Sequence, residues 1–222
     1  MPNPTILWKD KLYTGEVDCN SVLHRVQSGV LPMSADDMQK LAKYAEENDG
    51  DKTFSSLTDK EIFAQFEIKN WQVFDNICKA HGRTMKLDWK DISLSTKCIN
   101  SKDGTIELEY PKIFRIAGST NFSTDYLSQL HILYRKKDNI PVEEFVKILY
   151  GDATWFMVIE EEVCKVIVPS GWQIFYNGFV EHGALIDTAS EFTSCTQIIG
   201  PSEWELFPTG RINPLLEATK KS

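Results

Sequence analysis

The chain has no hydrophobic run long enough to cross a membrane as a helix. The longest charge-free stretch of its C-terminal part, 166–180, is interrupted by Pro169, Gly171 and Asn177-Gly178, and it is shorter than the ~18 apolar residues that a spanning helix requires. The N-terminus also lacks the basic start and apolar run of a secretory signal. The sequence therefore predicts no membrane association and a cytoplasmic location.

Cysteine is scarce and irregularly placed. The cysteines, an odd number, are Cys19, Cys78, Cys98, Cys164 and Cys195. Disulfide-stabilised secreted domains have an even number of cysteines in a recognisable framework of spacings. We therefore expect free thiols, as in an intracellular protein.

The local motifs of several large enzyme classes are missing. The sequence contains no G-x-x-x-x-G-K-[ST] phosphate loop, no G-x-G-x-x-G dinucleotide turn, no H-E-x-x-H zinc helix and no G-x-S-x-G nucleophile elbow. An enzyme whose site is assembled from distant residues is compatible with these absences. No cofactor is predicted.

Cys78 and His81 have the spacing of two zinc ligands on one helix face. The second pair of ligands would have to be Cys98 and His131, and no spacing in the sequence predicts that these approach the first pair. A buried thiol and a helix-terminal histidine explain Cys78 and His81 more simply. The sequence therefore predicts no metal.

Basic residues are scarce in the C-terminal part. Residues 139–222 contain 12 acidic and 5 basic side chains, and so carry −7 of the net charge of −8. An acidic surface repels the phosphate backbone of nucleic acids. Nucleic acid is therefore not an expected partner, whereas a basic protein is.

Helical signals are strongest in the N-terminal third. Ser34, followed by acidic residues and then by apolar residues at helical spacing, predicts a helix that ends near Asn48. Thr58-Asp-Lys-Glu61 has the sequence of a capping box, and the apolar residues that follow predict a long helix that continues through Ile77.

Helical spacing recurs in the centre of the chain. Apolar residues in 126–134 repeat at intervals of three and four. The same spacing returns in 142–149 after Pro141, a residue that suits the first turn of a helix. These patterns predict two consecutive helices.

The remaining segments favour β-structure. Ile92–Ile99 and Thr105–Tyr110 flank Asp103-Gly104, which favours a hairpin turn. Five further runs are rich in β-branched and aromatic residues: Trp155–Ile159, Val163–Val168, Trp172–Tyr176, Phe179–Ile186 and Phe192–Ile199. The gaps between them are too short for helical crossovers, so antiparallel pairing is expected. Asn177-Gly178 predicts a two-residue hairpin turn.

These patterns together predict an α+β fold. Helical N-terminal and central segments are expected to pack with a predominantly antiparallel C-terminal β-sheet. We expect residues 1–152 to form a helix-rich α+β region and residues 153–222 to form an antiparallel β region that shares one core with it.

The β region combines acidic and aromatic side chains. Between Thr154 and Glu205 there are eight acidic residues, one basic residue and eight aromatic residues. Aromatic side chains surrounded by carboxylates are typical of an interaction surface. The predicted contact residues are Trp155, Glu160, Glu161, Glu162, Trp172, Glu181 and Trp204. The alternative is an aromatic core beneath a solvated acidic face.

The function predicted from this surface is that of a noncatalytic protein-interaction module with a regulatory, adaptor or toxin-neutralising role. The alternative is an enzyme, for example a hydrolase, with its site at the junction of helices and sheet. In that enzyme His182 would activate the thiol of Cys164, with Asp187 as a further candidate. Glu181 cannot orient His182, because adjacent residues of a strand point to opposite faces.

Overall fold

The computed structural model describes residues 1–67, 97–99, 107–109, 112–116, 129–185, 191–199 and 204–212. All structural statements below refer to these residues. No helix among them is long and apolar enough to cross a membrane.

The described residues form three α-helices, one short 3-10 helix and fifteen β-strands. The helices are α1 (Glu16–Leu23), α2 (Ala35–Glu47) and α3 (Asp59–Phe66), and the 3-10 helix is His24–Val26. The strands are β1 (Thr5–Trp8), β2 (Lys11–Thr14), β3 (Gly29–Pro32), β4 (Lys97–Ile99), β5 (Glu107–Glu109), β6 (Lys112–Ile116), β7 (Gln129–Arg135), β8 (Ile140–Pro141), β9 (Glu143–Tyr150), β10 (Asp152–Ile159), β11 (Glu162–Pro169), β12 (Trp172–Asn177), β13 (His182–Leu185), β14 (Phe192–Ile199) and β15 (Glu205–Ile212).

The described strands form two sheets. The larger has ten strands in the order β2-β1-β11-β10-β13-β7-β15-β4-β5, with β8 beside β7. The smaller has five strands in the order β3-β12-β9-β14-β6. Neighbouring strands are antiparallel, except that β15 and β4 run parallel. Because β1 pairs with β11 and β3 pairs with β12, the N-terminal segment contributes to both sheets.

The sheets face each other across one apolar core. Met157 and Val166 of the larger sheet pack in the same cluster as Val146, Ile148 and Ile174 of the smaller sheet. A second cluster joins Ile62, Phe66 and Leu149 on the outer side of the smaller sheet, where α2 and α3 lie. The helices therefore cover one sheet and leave the space between the sheets to side chains of the strands.

The predicted α+β class is wrong, because the structure is predominantly β with three short helices. Of the central segments predicted as helices, residues 129–134 lie in β7 and residues 143–149 lie in β9, and residues 126–128 lie outside the described residues. Every residue of β9 except Tyr150 is buried. A strand covered on both faces lacks the alternation of apolar and polar residues that identifies a half-exposed strand.

The two N-terminal helix starts are confirmed. The Ser34 hydroxyl accepts a hydrogen bond from the backbone N–H of Asp37 at the start of α2. At the start of α3 both hydrogen bonds of the Thr58 capping box are present. This helix is shorter than predicted, since it ends at Phe66 and Glu67 is extended. Residues 68–96 lie outside the described residues.

The five strands predicted between residues 155 and 199 are present as β10 to β14. The pair predicted around Asp103-Gly104 is present as β4 and β5, which are antiparallel, although the turn itself lies outside the described residues. Asn177-Gly178 is a turn but does not form the predicted hairpin. The strand before it, β12, belongs to the smaller sheet, and the strand after it, β13, belongs to the larger one.

Close backbone contacts hold this crossing in place. The N–H of Gly178 donates to Val142 O at 2.7 Å, and the Gly178 carbonyl accepts from Leu133 N at 2.6 Å. A Cβ atom at position 178 would lie 2.0 Å from Leu133 O, so a larger residue does not fit without movement of the backbone. After the crossing, the chain enters β13, which begins at His182.

Candidate functional site

Strand register aligns four side chains in one row across the larger sheet. Cys164 lies opposite Met157, Met157 lies opposite His182, and His182 lies opposite His131. Residues directly opposite each other in antiparallel strands point to the same face. All four are buried, so the row faces the interior of the two-sheet structure.

Glu144 and Tyr176 reach the same place from the smaller sheet, where they lie opposite each other on β9 and β12. The ring centroid of Tyr176 is 4.3 Å from that of His182. Oε2 of Glu144 is 3.8 Å from Nε2 of His182, and the Tyr176 hydroxyl on the neighbouring strand favours the carboxylate form of Glu144. We call His131, Glu144, Tyr176 and His182 the polar cluster.

The hydrogen bonding of His182 determines which ring nitrogen is available. Nδ1 is 2.7 Å from the carbonyl oxygen of Val180, and a carbonyl can only accept, so Nδ1 carries the proton of the neutral ring. Nε2 then presents its lone pair toward Glu144 and makes no hydrogen bond to the described residues. The His131 ring meets His182 edge-on, with centroids 4.6 Å apart.

Burial shifts the pKa values of Glu144, His131 and His182 away from their ordinary values. It raises the pKa of Glu144 to about 7, an effect opposed by the nearby Tyr176 hydroxyl. It lowers the pKa of His131 to about 4. Burial, together with repulsion from His131, holds the pKa of His182 well below its usual value. At neutral pH the imidazoles are therefore uncharged, and Glu144 is close to its midpoint.

The cluster is suited to proton transfer. A carboxyl group with a pKa near 7 can accept or release a proton at neutral pH. Glu144 is 9% exposed, compared with 1% for His182, so Glu144 is the more accessible of the two. Neutral His182 offers a hydrogen-bond acceptor beside it.

Of the predicted catalytic residues, only His182 lies in the polar cluster. Cys164 is two strands away, with Met157 between them, which corresponds to roughly 10 Å between Cα atoms at the usual strand spacing. Burial raises the pKa of Cys164 to about 12, so its thiol stays protonated. Asp187 lies outside the described residues.

The three tryptophans of the predicted partner surface have buried side chains. Trp155, Trp172 and Trp204 are 2%, 7% and 1% exposed. The indole N–H of Trp155 donates to Tyr176 Oη at 3.3 Å. These side chains therefore pack inside the protein, and Trp155 contacts the polar cluster.

The glutamates of that surface lie on the outside. Glu160 and Glu161 form the turn between β10 and β11, with φ of 51° and 68°. Glu160 is paired with Lys9 and Arg25, and Glu181 is paired with Arg211 at 3.0 Å. Glu161 and Glu162 are exposed. The carboxylates and the tryptophans thus do not form one continuous surface.

Glu144 and Tyr176 were not among the site residues predicted from the sequence, and His131 was a candidate only as a zinc ligand. The available signal was a glutamate directly before the apolar residues of 145–149, because an acidic residue within a buried segment requires an explanation. The interpretation of this segment as the first turn of a helix concealed the signal.

The metal-binding capacity of the described residues is limited. His182 Nε2 and Glu144 Oε2 are two donor atoms that approach each other. No group of three His, Cys, Asp or Glu side chains in the described part of the chain is placed to hold a metal ion.

No protein-family model and no curated protein matches the chain. Among solved structures, it resembles acireductone dioxygenase from Bacillus anthracis with a cadmium ion in its active centre, with a TM-score of 0.51 and 12% sequence identity. The match covers 96% of this chain and 95% of that chain. The two proteins share a β-sandwich of two facing sheets. At this level of identity, the likeness shows the fold alone.

Proposed function

We propose that the chain is an enzyme that uses the polar cluster to transfer protons on a small substrate. The observation that carries the proposal is the convergence of Glu144 and His182 from opposite sheets in the interior, with their side-chain atoms 3.8 Å apart. Burying these groups costs free energy that apolar residues would not require. Buried ionisable groups with shifted pKa values are typical of functional sites.

The likeness to a dioxygenase supports an enzyme over the noncatalytic interaction module. The burial of the three tryptophans also removes the aromatic centre that the interaction surface requires. Cys164 takes no part in the proposal, since Met157 separates it from His182 and its thiol is protonated.

The proposed reaction begins with Glu144 as the general base. Its carboxylate takes a proton from the substrate, and the electron pair of the broken bond remains on the substrate. The Tyr176 hydroxyl, on the strand next to Glu144, favours the carboxylate form. Nε2 of His182 accepts a hydrogen bond from the substrate and orients it. Protonated Glu144 then returns its proton to another substrate atom or to solvent.

The cadmium ion of the structural neighbour raises the question of a metal in this chain. The described residues do not fit such a centre, because they bring two donor atoms together and not three. We therefore derive no step through a metal.

Electrostatics favour an uncharged substrate. In the described part of the chain, no lysine and no arginine forms an ion pair with Glu144, whose carboxylate is instead 3.8 Å from His182. A carboxylate or phosphate entering the site would lose its hydration without gaining a positive partner. We expect small neutral carbonyl compounds with an acidic C–H group.

The test is proton exchange measured by 1H NMR in D2O with hydroxyacetone and dihydroxyacetone. The wild type should accelerate loss of the C–H signals beside the carbonyl, and Glu144→Gln should reduce that rate at least ~100-fold. Glu143→Gln is the matched control, since it removes a buried carboxylate from the opposite face of β9. It should leave the rate within about twofold of the wild type.

Pyruvate tests the preference for uncharged substrates, because it has similar C–H groups but carries a carboxylate. It should exchange more slowly than hydroxyacetone. Exchange at the buffer rate with all three compounds, or equal rates in wild type and Glu144→Gln, would overturn the proposal.

A further inference from the structure

Asn177 holds the turn in which the chain crosses between the sheets. Its side-chain Oδ1 accepts from the backbone N–H of Phe179 at 2.9 Å, and its backbone carbonyl accepts from the N–H of Val180 at 2.9 Å. A backbone N–H can only donate, so the amide atom that faces Phe179 is the oxygen. The amide nitrogen then faces Glu143 Oε1 at 3.0 Å. Asn177 is 7% exposed, so water has little access to its side chain.

This turn positions the carbonyl group that bonds to His182. The carbonyl oxygen of Val180 is 2.7 Å from Nδ1 of His182. Gly178 is held by backbone hydrogen bonds to other segments, but the N–H groups of the next two residues, Phe179 and Val180, both donate to Asn177. The position of the Val180 carbonyl therefore depends on Asn177.

The Val180 carbonyl selects one tautomer of His182. With the proton on Nδ1, the ring donates to this oxygen, and the lone pair of Nε2 is directed toward Glu144, 3.8 Å away. With the proton on Nε2, two acceptors would face each other at 2.7 Å, and the ring would present a donor to the site. Only the first tautomer can accept a hydrogen bond from a substrate at Nε2.

The rings beside His182 restrict its position in a different way. The ring centroids of His131 and Tyr176 are 4.6 Å and 4.3 Å from that of His182. Packing of this kind limits where the imidazole can lie, whereas the hydrogen bond at Nδ1 distinguishes its two nitrogens. The tautomer is therefore determined on the Val180 side of the ring.

We propose that Asn177 is a positioning residue for His182 and that it acts through the carbonyl of Val180. By holding the turn, Asn177 keeps the proton of the neutral imidazole on Nδ1 and leaves Nε2 as the acceptor. The inference rests on the proposed function, in which Nε2 orients the substrate. The tautomer is measurable without a substrate, so the role of Asn177 and the proposed function can be tested separately.

The test is the tautomer ratio of His182 in Asn177→Ala, measured by long-range 1H–15N NMR at pH 8 and assigned with His182→Asn. The ring is neutral at this pH, because its pKa lies well below the usual value. In the wild type, Nδ1 should give the signal of a protonated nitrogen. Asn177→Ala removes the acceptor for the Phe179 N–H, so the turn should loosen. The ratio of the Nδ1–H form to the Nε2–H form should then fall about 3- to 10-fold, which corresponds to the net effect of one hydrogen bond.

Asn20→Ala is the matched control. Asn20 is also a buried asparagine, 9% exposed, and its side chain both donates to and accepts from the backbone of Val30. This variant should lose stability for the same kind of reason but leave the tautomer ratio of His182 within about 1.5-fold of the wild type. An unchanged ratio in Asn177→Ala, or equal changes in the two alanine variants, would overturn the inference.

Asn177→Ser shows whether the lost acceptor causes the change. A serine hydroxyl can accept from the N–H two residues later, although more weakly than an asparagine, so the ratio should lie between those of the wild type and Asn177→Ala. A ratio as low as that of Asn177→Ala would contradict the inference. If Asn177→Ala does not fold, Asn177→Gln replaces it, because this variant keeps an amide but places the oxygen one bond further from the backbone. Its ratio should also fall, and a wild-type ratio would argue against the role of Asn177.

The inference and the proposed function fail in different ways. If the tautomer ratio changes as expected but no proton exchange is found with hydroxyacetone, the positioning role of Asn177 stands and the proposed function fails. If Glu144→Gln abolishes exchange but Asn177→Ala retains the wild-type ratio, the proposed function stands and the inference fails. Glu143→Gln retains a side-chain oxygen that can accept from Asn177, so it remains a suitable control for the exchange assay.

Discussion

Glu144 and Lys147 lie on the same strand but face opposite sides of the smaller sheet. Nζ of Lys147 is 2.9 Å from Oδ2 of Asp37 in a buried ion pair beneath α2. Glu144 faces the interior, where its polar neighbours include Tyr176 and His182. One strand thus carries a paired charge on its outer face and a carboxyl group of raised pKa on its inner face.

The raised pKa of Glu144 makes its contribution to stability depend on pH. The folded protein binds this proton more tightly than the unfolded chain, whose ordinary value is 4.5. The free energy of unfolding therefore falls as pH rises from about 4.5 to about 7. Glu144→Gln removes this pH dependence. In urea denaturation, the free energy of unfolding of the variant relative to that of the wild type should therefore rise between pH 5 and pH 8, by up to about 3 kcal/mol. The same difference at both pH values would contradict the prediction.

The contribution of His182 to stability depends on pH in the opposite direction to that of Glu144. Its folded pKa is lowered from an ordinary 6.5, so the unfolded chain takes up the proton first as pH falls. The wild type should therefore lose stability below about pH 6.5. His182→Asn retains a donor for the Val180 carbonyl but does not titrate. Between pH 7 and pH 5, the free energy of unfolding of this variant should fall by about 2 kcal/mol less than that of the wild type in urea melts. Parallel pH profiles of the two proteins would show that His182 does not cause the loss of stability at low pH.

Replacing only one partner of the buried ion pair between Asp37 and Lys147 should strongly destabilise the protein. Asp37→Asn leaves a buried ammonium group without its counter-charge, and the expected loss is ~3–5 kcal/mol. Replacing both residues, as Asp37→Leu with Lys147→Met, should cost less, because no charge remains buried. The exposed pair of Lys43 and Glu47 is the control, and Glu47→Gln should change stability by under ~0.5 kcal/mol in the same denaturant melts. A double variant less stable than Asp37→Asn would argue against a charge effect.

The sheet crossing should tolerate only glycine at position 178. Gly178→Ala would place a methyl group 2.0 Å from Leu133 O and 2.9 Å from Val142 O, and we expect a loss of about 3 kcal/mol or more. Gly50→Ala is the control for backbone strain alone, since Gly50 has a φ of +85° and a methyl group there would have no neighbour within 4 Å. It should cost about 1–2 kcal/mol. Thermal or urea melts in which the two substitutions cost the same would refute the steric explanation.

The helix starts and the C-terminal strands could be predicted from the sequence because the residue patterns that specify them are local. A serine or threonine at a helix start bonds to a backbone N–H a few residues away, so Ser34 and Thr58 were recognisable without knowledge of the fold. The strands between residues 155 and 199 were recognisable because β-branched and aromatic residues suit extended backbone and short gaps separate them.

Tertiary structure decided the conformation of the central segments and the composition of the polar cluster. The apolar spacing of 142–149 is compatible with a helix, and the segment is a strand because it pairs with β12 and β14, with the larger sheet on one face and helices on the other. His131, Glu144, Tyr176 and His182 lie on four strands, and they meet only because the chain crosses between sheets at Gly178. Register and burial depend on partners that are distant in the chain, so the local pattern around each of these residues does not reveal that they come together.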